Sequence, residues 1–161
     1  MKFKTLWLLL PLLVVAIIPM AGCGGNPTLD VVNKFIAAED LMFSTGDGSG
    51  LMAVEDTNLV LHMMAWPDTK GNAAHVAAIK GIVAGASAPI THVWSEITAT
   101  GDIGSVRWVE TDKIGGKDVS YQGAYFLKVK DGKIVEAWLV SDMLTYFLAA
   151  GIVQYAPTPS K

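Results

Sequence analysis

Few side chains in this chain of 161 residues have types suited to chemistry, and they are scattered along it. There are three histidines, His62, His75 and His92, one cysteine, Cys23, and one arginine, Arg107, among fifteen carboxylates. The histidines show no His-x-x-x-His spacing and no paired carboxylate motif, so no metal site is expected. No Gly-x-Ser-x-Gly elbow is present, and the glycine-rich stretch 46–50 lacks the Gly-Lys-Ser/Thr ending that holds phosphate. No cofactor is expected either. What remains is proton chemistry and recognition. Strand alternation puts Ser105, Arg107 and Val109 on one face and Val106 and Trp108 on the other, so only one of Arg107 and Trp108 can face an interior. An inward Arg107 would hold a carboxylate or enolate oxygen; an outward one is a solvated sheet residue. Tyr121 and Tyr125 share a parity, and a phenol there could donate to an oxyanion or simply pack. Trp66, Trp94, Tyr121, Tyr125 and Trp138 are either core or the wall of a pocket for an apolar ligand. Trp138, Val140 and Asp142 also share a parity, which would set a carboxylate beside an aromatic wall.

Cys23 carries a different kind of chemistry. Lys2 and Lys4 precede an apolar run over residues 6–18, broken by Pro11 and Pro19 and followed by small Ala21 and Gly22. That order is expected of an export signal. The segment Met20-Ala21-Gly22-Cys23 resembles the lipobox of bacterial lipoproteins, in which the thiol takes a diacylglycerol and cleavage leaves the cysteine first. Met20 departs from the usual leucine. An uncleaved transmembrane helix over 5–22 is the alternative, and either way the domain is exported and held at a membrane. The expected division is a signal peptide over 1–22, a lipidated cysteine and tether over 23–27, a domain over 28–153 and a tail over 154–161. The expected location is the cell envelope, lipid-anchored on the exported side.

Without the signal about 139 residues remain, enough for one domain. Ten basic residues then face fifteen acidic ones, with no basic stripe, so nucleic acid is not an expected partner. Thr28 is a good N-cap for a helix whose apolar positions Leu29, Val32, Phe35, Ile36 and Met42 recur at three- and four-residue spacing. A helical turn at 51–54, a strand over 58–64 closed by Trp66-Pro67-Asp68 and an alanine-rich helix over 73–86 follow. Then come four strands, 90–100, 105–113, 119–130 and 133–141. Gly101-Asp102, Gly115-Gly116-Lys117-Asp118 and Asp131-Gly132 suit hairpins, so consecutive strands should pair antiparallel. A short helix over 142–150 ends at Gly151. Helices first and a curved, mainly antiparallel sheet afterwards predict an α+β fold.

The order of these elements resembles the nuclear transport factor 2-like superfamily, a cone-like α+β barrel with a pocket between helices and sheet. Leu59-Val60-Leu61-His62 followed by Trp66-Pro67, and the end from Asp131-Gly132-Lys133-Ile134 through Trp138 to Asp142, are similar to SnoaL-like polyketide cyclases. The resemblance covers about the whole domain. It implies that Asp142 is an acid/base moving a proton beside a carbonyl, with His62 assisting and Arg107 stabilising negative charge. An apolar surround would raise the Asp142 pKa toward that task. As the N-cap of the last helix it would instead accept backbone N–H bonds and stay ionised. His62 would orient a carbonyl, or be a strand histidine satisfied by the backbone. Two functions therefore stand: cyclase or isomerase chemistry on a small apolar carbonyl compound, or a non-catalytic envelope lipoprotein binding a ligand or partner protein. A homodimer paired through the sheets is a third expectation.

Overall fold

The computed structural model describes residues 25–64 and 66–154. The expected signal peptide, Cys23 and most of the tail lie outside them. Helix α1 (Pro27–Thr45) and the short α2 (Ser49–Val54) lead into strand β1 (Glu55–Met63). Strand β2 (Trp66–Lys70), helix α3 (Asn72–Gly85) and strands β3 (Thr91–Thr100), β4 (Ile103–Ile114), β5 (Lys117–Lys130) and β6 (Lys133–Ser141) follow, with helix α4 (Met143–Ala149) last.

The α1 cap is one residue pair earlier than the sequence suggests. Asn26 accepts from the Thr28 and Leu29 amides at 3.0 and 3.2 Å. Pro27 then fits the first helical turn, where no N–H is needed. Thr28 is instead buried, its hydroxyl donating to the Gly101 carbonyl at 2.7 Å. That bond pins α1 to the β3–β4 turn. The apolar stripe of α1, including Val32, Phe35 and Met42, enters the core as its spacing requires.

One six-stranded sheet runs in the order β2-β1-β6-β5-β4-β3. The last four strands form the expected meander. Gly115-Gly116 and Asp131-Gly132 all have positive φ, as the tight hairpin turns between them demand. Two features are non-local. β1 pairs parallel with β6, Leu61 opposite Ala137 and His62 opposite Trp138. Trp66-Pro67-Asp68, expected to close the strand, opens the separate edge strand β2, which pairs antiparallel with β1. Proline is tolerated there because an edge strand has a free side.

The sheet has an inner face covered by α1 and α3 and, among the described residues, an outer face without a covering helix. Leu59, Leu61, Val106, Trp108, Tyr125, Leu127 and Ala137 point inward and are buried. Trp108 lies opposite Gly123 in the β4–β5 register. A Cβ at Gly123 would come within 2.3 Å of the Trp108 ring and 2.4 Å of the Val140 carbonyl, so glycine is what lets the indole lie flat on β5. The fold is the expected α+β cone. α4 crosses its open end.

Candidate functional site

A cavity of about 390 Å³ opens between α3, α4 and the inner face of the sheet. Its walls are mostly apolar, from Phe43, Leu61, Met63, Ile79, Trp108 and Leu139, with Trp66 and Tyr146 at the rim. Trp66 is held to α4 by an edge-on contact with Phe147 at 5.7 Å. Apolar walls supply affinity and a few polar groups supply orientation.

Those polar groups fall into two sets. On β3, β4 and β5, His92 Nε2 lies 3.0 Å from Glu110 Oε2, and the Tyr121 hydroxyl donates a short hydrogen bond to Glu110 Oε1. Both carboxylate oxygens are therefore occupied. Burial first, and the Glu110 charge second, push the Tyr121 phenol well above its usual range. Its proton therefore stays on the phenol oxygen. The second set joins three elements. His75 of α3 places Nδ1 2.8 Å from Glu55 Oε1, and Nε2 4.0 Å from Glu39 Oε1 of α1. Burial works to lower the His75 pKa, but the hydrogen bond and charge of Glu55, with Glu39, outweigh it and raise it. Glu39 is fully buried, and neither of its carboxylate oxygens has a hydrogen-bond partner among the described residues. Burial lifts its pKa to about 7 against the pull of His75 and His92.

The residues singled out from sequence divide between the two faces. Tyr121, Tyr125 and Trp66 line the cavity. Trp108 takes the inward place, so Arg107 is 43% exposed on the outer face, bonded to Gln122 at 2.6 Å with Glu96 at 3.6 Å. His62 and Trp138 also lie on the outer face, their rings stacked at 5.5 Å. His62 is held by carboxylates, not by the backbone: Glu136 at 3.1 Å and Asp68 at 3.0 Å, which raise its pKa. Trp94 stacks on His92 at 5.1 Å and donates to Asp40 at 2.8 Å, behind the cavity wall. Asp142 caps α4, accepting from the Thr145 amide at 3.2 Å and its hydroxyl at 2.6 Å. Those bonds hold its carboxyl below the usual range. Ser141 and Met143 line the cavity, and Asp142 between them does not. Asp142, His62 and Arg107 are thus not brought together. Among the groups that do converge, His75 and His92 were weighed from sequence only as metal ligands, and Glu39, Glu55 and Glu110 were not singled out.

The model of the SnoaL-like domain matches residues 32–137, about two thirds of the chain. The chain belongs to the SnoaL-like domain family. No curated protein matches it in sequence. Solved structures like this SnoaL-like domain include a candidate SnoaL-like polyketide cyclase from Jannaschia sp. CCS1, at 16% identity and TM-score 0.65, with 77% of this chain and 93% of that one covered. IdmH, a candidate polyketide cyclase from Streptomyces antibioticus, matches at 21% identity and TM-score 0.62, covering 75% and 98%. TerC, co-crystallised with polyporic acid, matches at 13% and 0.65, covering 78% and 99%. At these identities the likeness is one of fold. The SnoaL-like domain presents His75, His92 and Glu110 to a greasy cavity, with Glu55 paired to His75 behind the wall, an arrangement able to take up and return a proton.

Proposed function

We propose that this SnoaL-like domain takes a small, largely apolar carbonyl compound into the cavity and moves a proton on it. The observation that carries this reading is the convergence of His75 and the Glu110–Tyr121 pair on one apolar hollow. Glu55 orients the His75 ring through Nδ1, leaving Nε2 for exchange. Tyr121 passes its own proton to Glu110 in the same step as its oxygen takes one from the guest, so no free phenolate forms, and His92 lies against the other Glu110 oxygen. A carbon acid next to a carbonyl is the substrate type that such groups serve, through an enol that is reprotonated elsewhere.

Two measurements test it. N-phenylnaphthylamine, an apolar fluorophore, should brighten on binding to the purified domain. Ala78→Trp and Leu139→Trp, which fill the cavity, should weaken that binding by at least about tenfold with circular dichroism unchanged. Deuterium uptake into β-tetralone, followed by NMR, should exceed the buffer rate when the domain is added. Binding without any acceleration, across a panel of cyclic ketones, would leave a ligand carrier and remove the enzyme.

We also propose that the domain works as an envelope lipoprotein, with Cys23 lipidated after removal of 1–22. The lipobox-like segment supports this, and the helix start at Pro27 leaves a tether of only about 15 Å. Cys23→Ser should move the protein from the detergent phase to the aqueous phase in Triton X-114 partitioning and abolish palmitate labelling. A wild-type protein already aqueous and unlabelled would refute it.

A further inference from the structure

The proposed function leaves open the charge of the guest, and the cavity has a sign. Glu110 and Asp112 line it, and no lysine or arginine does among the described residues. Its two imidazoles bring no free positive charge to a guest: His75 faces Glu55 at 2.8 Å, and His92 faces Glu110 at 3.0 Å. Behind His75 lies a fourth carboxyl, Glu39. An anionic guest entering here loses its hydration and meets carboxylates in a partly dry space, where repulsion is weakly screened.

The aromatic side chains point the same way. Tyr121 and Tyr146 meet edge to face at 5.7 Å near Glu110, with Trp108 at 5.7 Å from Tyr121. Ring faces attract cations, and more strongly where water is excluded. Carboxylates flanked by several rings suit ammonium groups, and no lysine or arginine among the described residues lines this wall to pair with a carboxylate or phosphate.

We propose that the guest of this cavity bears a protonated amine on an otherwise apolar, ring-containing body, with the ammonium seated among Glu110, Asp112, Tyr121 and Tyr146. The proposal rests on the guest-binding part of the reading above and not on its proton transfer.

Three molecules of matched shape test it: naphthylethylamine, naphthylethanol and naphthylacetate, each titrated calorimetrically and by displacement of N-phenylnaphthylamine. The amine should bind at least about tenfold tighter than the alcohol, and the acetate weakest. Asp112→Asn, at the half-buried rim and outside both imidazole pairs, should cut the amine's advantage over the alcohol several-fold, read as the ratio of the two dissociation constants in the same variant. Glu110→Gln should cut it further, and Asp112→Asn keeps the test decisive should that variant not fold. An amine no tighter than the alcohol, or an acetate tighter than either, overturns the proposal while N-phenylnaphthylamine binding keeps the pocket reading intact. Loss of all binding, including that of the fluorophore, overturns both.

Discussion

Glu39→Gln is expected to stabilise the fold by about 3 kcal/mol at about pH 8 and to leave it nearly unchanged at about pH 4. Glu39 is fully buried on α1, and burial raises its pKa from 4.5 to about 7. Below 4.5 the carboxyl is protonated whether the chain is folded or not, so it contributes no pH dependence. As pH rises from there toward 7, the unfolded chain releases a proton that the folded one keeps, and stability falls by about 1.4 kcal/mol per unit. Glutamine has the same shape and never ionises. His75 acts in the same direction. Its folded pKa is raised, so its contribution is fully present below 6.5 and is lost as pH climbs through the folded value. Asp47 and Asp142, with lowered values, act oppositely and only in acid, and both are exposed. The wild-type urea midpoint should therefore fall between about pH 5 and 8, and the Glu39→Gln midpoint should fall less. Parallel curves for the two proteins would mean that Glu39 ionises freely, and the buried proton would be lost to the argument.

The same residue marks where the sequence was legible and where it was not. Helical spacing in 28–42 and the glycine turns between strands are local signals, and both return in α1 and the β3–β6 meander. The parallel pairing of β1 with β6 joins segments some 75 residues apart, His62 with Trp138, and no local pattern records it. The candidate site is non-local in the same way, drawing single residues from α1, β1, α3, β3, β4 and β5. Yet a signal existed. Glu39 falls in the stripe Val32, Phe35, Met42, where an apolar residue belongs, and Glu110 shares its parity with buried Val106 and Trp108. A carboxylate out of pattern on a buried face needs a partner or a purpose. Asp142 and His62 carried the family resemblance instead, and capping chemistry at α4 and the outward parity of β1 decide where their side chains lie.

His75→Gln is expected to lower the rate of β-tetralone exchange on the order of 10²–10⁴-fold while changing its affinity little. Glutamine keeps the polar shape and a hydrogen bond toward Glu55, but it cannot hold a proton at the Nε2 position and release it. Tyr121→Phe keeps the ring against Trp108 and Tyr146 and removes only the hydroxyl that reaches Glu110. If the two serve as donor and acceptor in one transfer, each loss should approach the full effect and the double variant should fall less than the product of the two. Independent, multiplying losses would mean two separate paths to solvent. Asp142→Ala discriminates further. With its carboxylate committed to the Thr145 amide and hydroxyl, its removal should weaken the helix cap and leave exchange within a few-fold of wild type. A collapse of exchange in Asp142→Ala with His75→Gln still active would return the acid/base role to the terminal aspartate, and would require α4 to unwind before the carboxylate could reach a guest.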